Sequence, residues 1–478
     1  MYHVPQHISK DKIFIVKRSE IEGRLEPNFY KPSIATLEKK IRSLSSKRLR
    51  SYALSFAGGA TPSKRESEKY YSDSQTGVPF LRVQNLQTTG ELSLDECIHI
   101  NEETHNGLLK RSQVSEGDLL VKITGVGRMA IASVAPKDFV GNTNQHMVVI
   151  KTGDSSISKY LAHYLNLDII EQIASRHSTG GTRPALDYPS LKNIPIIEGL
   201  DFSVIEHAIK FKKTKETEAK QLLDSIDGYL LKELGITLPN LKAELIDRVF
   251  YVNYSDLSNR LDPYYSLKCF QESFEAVHLG KFPVVSLKSL TTLITSGITP
   301  KSGGDAYVDD KLNGIPFIRS GNINIDGELD FNDLLYIRPD IHKTIMKSSQ
   351  VRKNDLMIAI VGATIGQVGI YVFDNAANIN QAIALVRLKD GINVEYVKEL
   401  IKSSIGQLSL NRLKRPVARA NINLEEIATI QVVLPPFEVQ QKIATQIQSI
   451  RQQAKALQAE GKAILEDAKR KVEEKIIG

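Results

Sequence analysis

The stretch GVPFLRVQNL at 77–86 returns, little changed, as GIPFIRSGNI at 314–323. Gly77, Pro79, Phe80, Arg82 and Asn85 meet Gly314, Pro316, Phe317, Arg319 and Asn322 at a single offset of 237 residues. The same order holds to within one residue of this offset over almost the whole chain. FIVKRSEIEGRLEPNFY (14–30) pairs with FYVNYSDLSNRLDPYYS (250–266), and GGATPSK (58–64) with SGITPKS (296–302). EGDLLVKITG (116–125) pairs with KNDLMIAIVG (353–362), and NTNQHMVVIK (142–151) with NINQAIALVR (378–387). TRPALDYPSLKNIPI (182–196) pairs with ARANINLEEIATIQV (418–432). Shared composition would not keep this order, so the chain is a tandem duplication. With 478 residues it is too long for one core, and each copy should form its own module.

Each copy reads as α/β. DLLVKITG, MVVIK, DLMIAIVG and IALVRL are short apolar, β-branched runs bounded by Gly, Asn and Asp, as strands are. The Gly-x-Pro-Phe and Thr-Pro sites read as turns and loop entries. A short amphipathic helix opens each module. Ser33 caps the first, with Ile34, Leu37, Ile41 and Leu44 as its stripe. Ser266 caps the second, with Leu267, Phe270, Phe274 and Val277.

Each copy closes on a long helix. In the first, Ile205, Ala208, Ala219, Leu222, Ile226, Leu230 and Leu234 fall at three- and four-residue steps apart from a weak patch near KFKKTKE, and Gly235 follows as a C-cap. In the second, Val439, Ile443, Ile447, Ile450, Ala454, Leu457, Ile464, Ala468 and Val472 keep a nearly heptad stripe. Helices of ~35 and ~40 residues would be ~50 to 60 Å long. A stripe of that length must be covered. The economical reading is an antiparallel coiled coil between the two helices, a strut between similar domains; the alternative is that each packs on its own domain.

The formal net charge of +7 favours a polyanionic partner, nucleic acid above all. Cys97 and Cys269 stand in no metal-ligand or CxxC spacing, a reducing-compartment pattern. The N-terminal MYHVPQHISKDK lacks a signal-peptide core, and no apolar run reaches ~18 residues. The expectation is a cytoplasmic protein without a membrane span. Catalytic signatures are missing. DPYY (262–265) and LPPF (434–437) approach the Asp-Pro-Pro-Tyr of amino-methyltransferases, but neither is complete nor accompanied by a Gly-rich cofactor loop. STGGTRP and SGGDA lack the Gly-Lys-Ser/Thr ending of a phosphate loop, and no HExxH occurs. No cofactor, metal or catalytic residue is expected.

Thr-Pro-Ser/Lys before Gly-x-Pro-Phe-x-Arg, the Asp-Leu-strand-Gly block, the Asn-Gln strand entry and a terminal LPPFEVQQKIA helix, all but the last in duplicate, resemble the specificity subunit of type I restriction–modification systems. The resemblance covers roughly 12–478. It implies a target recognition domain at 1–200, a long spacer helix at 201–236, a second recognition domain at 237–436 and a distal spacer helix at 437–478. It also implies that each domain reads one part of a split, asymmetric double-stranded DNA sequence. The helices would fix the gap and dock two modification subunits carrying the methyltransferase chemistry; restriction subunits would join them as translocase and nuclease. Two rivals stay open: the specificity subunit of a related split-target type II system, and a bivalent scaffold that binds no DNA. The copies depart from each other at GVGRMA against GATIGQVG and at TGGTRP against KRPVARA.

Modules that read different half-sites must differ where they touch bases, so shared residues hold the fold or grip phosphates. Gly77, Pro79 and Phe80 with their partners are expected to be structural. Arg82 and Arg319 are open between an ion pair and a phosphate clamp. Thr61, Ser63 and Lys64, with Thr299, Lys301 and Ser302, lie in polar loops suited to phosphate. Arg183, and Arg415 and Arg419 in the equivalent region, are further candidates for the DNA face. The basic run at 39–50 reads as a solvated helix face or a DNA-flanking one. Base readers are expected in unshared segments, 64–76, 100–114, 302–313 and 339–352.

Overall fold

The computed structural model describes residues 9, 11–45, 47–239, 251–252, 262–301, 304–309, 311–415 and 420–478. The chain packs as two compact units. Unit 1 comprises Met1–Glu216 and Gln458–Gly478, and unit 2 comprises Thr217–Leu457.

Unit 1 holds strands β1 (Lys47–Arg48), β2 (Ser55–Gly58), β3 (Tyr71–Ser72), β4 (Val78–Leu81), β5 (Ile98–Ile100), β6 (Gln113–Ser115), β7 (Leu119–Lys122), β8 (Ala132–Val134), β9 (Val140–Thr143), β10 (Met147–Lys151) and β11 (Pro195–Ile196). Its helices are α1 (Pro32–Leu44), α2 (Ser67–Tyr70), α3 (Glu102–Asn106), α4 (Ser155–Leu165), α5 (Asp168–His177) and α6 (Tyr188–Lys192); α7 (Ser203–Leu234) begins here. Among the described residues three sheets form, in the orders β2-β10-β7-β8, β3-β5-β4-β9-β6 and β1-β11.

Unit 2 holds β12 (Val284–Ser286), β13 (Thr291–Ser296), β14 (Tyr307–Val308), β15 (Ile315–Ile318), β16 (Leu335–Ile337), β17 (Gln350–Val351), β18 (Leu356–Ala359), β19 (Val368–Ile370), β20 (Ala377–Ile379), β21 (Ile383–Leu388) and β22 (Gln431–Val433). Its helices are α8 (Lys268–His278), α9 (Pro339–Lys343), α10 (Val394–Lys402), α11 (Ser404–Leu413) and α12 (Leu424–Ala428), and α13 (Phe437–Ile477) begins here. The sheets run β13-β21-β18-β19, β14-β16-β15-β20-β17 and β12-β22. Strand for strand this is the order of unit 1, so the repeat in sequence is a repeat in topology.

The predicted strands form where the apolar runs fall. All four residues of β7 and of β18 are buried, because these strands sit inside their sheets and are covered on both faces. Gly-x-Pro-Phe is not a turn. Val78–Leu81 and Ile315–Ile318 are strands, each in the middle of a five-stranded sheet. The proline is tolerated because the pairing of β4 with β9 starts one residue later, at Phe80, and that of β15 with β20 at Phe317.

The opening helices correct two capping expectations. Pro32 occupies the first turn of α1, where its fixed φ suits a helix start, so Ser33 lies inside and its hydroxyl donates to Asp11 Oδ2 at 2.6 Å. Leu44 is exposed and Glu38, not part of the expected stripe, is buried. Ser266 closes a 3-10 turn, Pro263–Ser266, whose cap is Asp262; α8 starts only at Lys268. That turn explains DPYY: Asp262 Oδ1 accepts the Tyr265 N–H at 3.0 Å, and the Arg412 guanidinium covers the Tyr265 ring at 4.1 Å. The basic run at 39–50 is not one helix face, since α1 stops at Leu44 and β1 begins at Lys47.

Both long helices are present without a break, 32 residues in α7 and 41 in α13, and Gly235 ends α7 with φ of 67°. In unit 1, Ile205, Ala208 and Ile209 join Leu465, Ala468, Val472 and Ile476 in one core, and Lys215 Nζ lies 3.5 Å from Glu460. In unit 2, Ile226, Leu230 and Leu234 join Ile443, Ile447 and Ile450, and Lys442 Nζ lies 3.0 Å from Glu233. Within each unit the helices therefore pack on each other and also on the core of the sheets. One stripe residue is misplaced: Ile464 is 36% exposed and Leu465 is 2% exposed. The inward path from Ala454 continues through buried Gly461 to Leu465, and Ile464 lies one position off it. No described helix is long and apolar enough to cross a membrane.

Candidate nucleic-acid interface

The sheet register gathers the expected loops at one end of each unit. Gly58 pairs with Val148, Met147 with Lys122, and Val121 with Ala132. The chain thus leaves β2 and β7, and enters β8 and β10, at the same end. Backbone bonds bring in a further loop: Gly125 N donates to Pro184 O at 3.0 Å, and Leu186 N to Ile123 O at 2.8 Å. Unit 2 repeats this, with Ser296 opposite Ala384 and Ala359 opposite Ile383. Gly362 N donates to Ala420 O at 3.1 Å and Ile422 N to Ile360 O at 3.0 Å. The divergent GVGRMA and GATIGQVG loops therefore bridge to the same neighbour in both copies.

The expected residues occupy this end to different degrees. Thr61, Ser63 and Lys64 are exposed in the loop after β2; Ser63 Oγ accepts the Arg65 N–H at 3.3 Å, and Thr61 Oγ1 donates to Gln145 Oε1. Thr299 and Lys301 are exposed after β13. Arg183 is exposed in the loop bridged to Gly125. Ser302 and Arg419 lie outside the described residues. Arg415 Nη2 is 2.8 Å from Glu426 Oε1. Arg82 and Arg319 follow β4 and β15 and fold back on the protein. Arg82 Nη2 donates to Glu96 O at 3.4 Å; Arg319 Nη2 donates to Asp333 O at 2.7 Å and pairs with its carboxylate at 2.8 Å. In each, Nε is buried without a hydrogen-bond partner. Gly77, Pro79 and Phe80 serve the fold: Phe80 and Phe317 are buried, and a Cβ at Gly77 would meet the Asp73 carbonyl.

A short strand end is the hub of this geometry. A Cβ at Gly59 would overlap the Thr143 carbonyl at the end of β9, and one at Gly297 the Ile379 carbonyl at the end of β20. Only glycine lets these loops lie so close. Asn142, buried in β9, bonds His105 Nδ1 through Oδ1 and donates through Nδ2 to Leu109 O at 2.9 Å. Asn378 does the same with His342 and with Met346 O, at 2.9 Å. These repeated polar pairs were not anticipated, although both histidines and both asparagines keep the repeat register. In unit 1 a buried cation adds to the site. Lys122 Nζ donates to Val126 O at 2.8 Å, and burial lowers its pKa; unit 2 has Ala359 at this position.

Two more exposed pairs, Lys110 with Lys347 and Gln145 with Gln381, were also passed over, although they too are identical in register. Asn144 Oδ1 accepts the His146 N–H at 3.1 Å and Asn380 Oδ1 the Ala382 N–H at 3.2 Å, so the same turn presents both glutamines.

Residues 281–466 match the family described as the type I restriction modification DNA specificity domain. The chain is 36% identical over 143 residues to the type I restriction enzyme EcoBI specificity subunit of Escherichia coli, a match that takes in 30% of either chain. It is similar to a chain in a structure describing complex assembly and conformational transition of the type I R-M system. There the TM-score is 0.39 and the identity 17%, over 89% of this chain and 96% of that one. The HsdS subunit from Thermoanaerobacter tengcongensis matches with TM-score 0.32 and 16% identity, over 90% and 95%.

Proposed function

We propose that this chain is a specificity subunit of a type I restriction–modification system, selects the DNA sequence for such an enzyme and carries no catalysis of its own; the match of residues 281–466 to that family's DNA specificity domain and the partial likeness to the EcoBI subunit support the reading. Residues 1–200 and 237–436 are its two target recognition domains, each reading one half of a split, asymmetric site in double-stranded DNA. It recruits two modification subunits and the restriction subunits, and it works in the cytoplasm without a cofactor.

The observation that carries this reading is the pair of identical topologies whose loops differ at one sheet end. A scaffold held constant beneath variable loops suits two readers of unlike sequences. The helices at 201–236 and 437–478 act as spacers in the same proposal.

The test is a module exchange. Replacing residues 1–200 with the matching module of a relative should change one half of the motif methylated in cells and leave the other intact. A change on both sides would refute modular reading. Lengthening both long helices by four residues, ~6 Å at 1.5 Å per residue, should widen the gap by about one or two base pairs at ~3.4 Å each. An active variant with an unchanged gap would show that the helices are not the ruler.

A further inference from the structure

The duplication lets one chain serve as its own comparison. A residue that is identical in both copies, exposed in both and spent on no obvious fold contact has a task common to both halves. Glu91 and Glu328 are identical and exposed, but each pairs with a lysine of a long helix, Lys213 and Lys455. Asp73 is spent on its own turn, accepting from the Gln75 and Thr76 N–H groups. Among the described residues three pairs stand apart: Thr61 with Thr299, Lys110 with Lys347 and Gln145 with Gln381, all exposed.

These three hang on one strand end. The threonine loop leaves through the glycine packed on the last carbonyl of β9 or β20. The glutamine follows that carbonyl by two residues. The lysine directly follows the carbonyl that Asn142 or Asn378 holds, on a 3-10 turn packed against β2 or β13. In unit 1 the Thr61 hydroxyl bonds the Gln145 side-chain oxygen, which fixes the amide; Gln145 Nε2 lies 3.3 Å from His146 Nε2, and an amide NH2 has a second hydrogen to donate.

We infer that Lys110, Gln145 and Thr61, with Lys347, Gln381 and Thr299, form a grip on the DNA backbone that is the same in both units and indifferent to sequence. The inference rests on the DNA-reading function proposed above. A cation and two neutral donors suit phosphate oxygens. Two identical sets cannot distinguish unlike half-sites, so they position the readers rather than read. The grip also places Lys110 and Lys347 outside the base-reading role expected for segments 100–114 and 339–352.

The experiment uses the full chain and a pool of random-sequence DNA duplexes. Selection gives the motif, and the selected and a scrambled duplex are then titrated over a range of salt. Lys110→Ala with Lys347→Ala should weaken both duplexes by one factor, about tenfold or more, and lower the log–log salt slope by about two, since each lost phosphate contact removes ~0.9. Gln145→Ala with Gln381→Ala should weaken both duplexes several-fold with the slope unchanged, because a neutral donor displaces no counterion. Neither pair should alter the selected motif. Lys220→Ala, an exposed lysine on α7, serves as the charge control and should leave affinity near wild type. A relaxed base at one motif position in the glutamine variant would mean base reading and overturn the inference. So would wild-type binding by both pairs. If the wild-type chain selects no motif and shows no salt-dependent binding, the DNA-reading function itself falls, and this inference with it.

Discussion

At the scale of single residues, the copies differ most informatively at Glu38. It is buried in α1 and bonded by Arg42, Arg176 and His177, at 2.7, 2.5 and 2.9 Å. Burial pushes its carboxyl pKa up, but the bonds from His177, Arg176 and Arg42 more than offset this and hold it at about 2. Unit 2 has Phe274 in this place, with the Arg412 guanidinium 5.2 Å from its ring centre. A carboxyl depressed on folding stabilises above its unfolded pKa of about 4.3, and that stability is lost as pH falls through the folded value. Between about pH 4.5 and 2, unit 1 should therefore lose up to ~3 kcal/mol that unit 2 does not. Urea unfolding of wild type and Glu38→Gln across that window would check it: the variant should be less stable at neutral pH and flatter in acid. At Gly59 and Gly297 the obstacle is a backbone carbonyl, which cannot swing aside. Gly59→Ala and Gly297→Ala should each cost ~1–3 kcal/mol and shift the thermal midpoint down. Unchanged melting would show that the loops do not need the close approach.

At the scale of elements, the long helices show how a heptad pattern becomes packing. Gly461 sits on the inward path, where a Cβ would come within 3.1 Å of Lys212 Cα. The next inward side chain is Leu465, not Ile464. Leu465→Ala should cost ~2–5 kcal/mol, whereas Ile464→Ala should cost under ~1 kcal/mol. Equal costs in chemical denaturation would mean that the helix presents a different face. The GVPF and GIPF strands teach a related lesson. Proline reads as a turn because it lacks a donor, yet the ladder on its second side begins only after it. No local rule could show where that ladder starts.

At the scale of the whole molecule, the repeat register carried the two-module organisation, and the apolar periodicity within each copy carried the α/β class and the length of both long helices. They did so because strands and amphipathic helices are written in local periodicity, and because a duplication writes them twice. The pairing of TRPALDY with ARANINL was legible for the same reason, and both segments bridge to the loop after the matching strand. What only the tertiary structure decided is which of these residues meet. Thr61 and Gln145 lie 84 positions apart and touch because Gly59 packs on the end of β9. Arg82 and Arg319 look alike in sequence and meet the carbonyls of equivalent residues, Glu96 and Asp333, but Arg319 also pairs with the carboxylate of its partner, a difference that lies in how the acidic side chain is folded and not in its position along the chain. Exposure is likewise a property of the packed chain. Shared residues could be found by reading along the sequence, but separating Phe80, which fills a core, from Gln145, which faces outward, required burial, and burial exists only once distant segments have closed over one another.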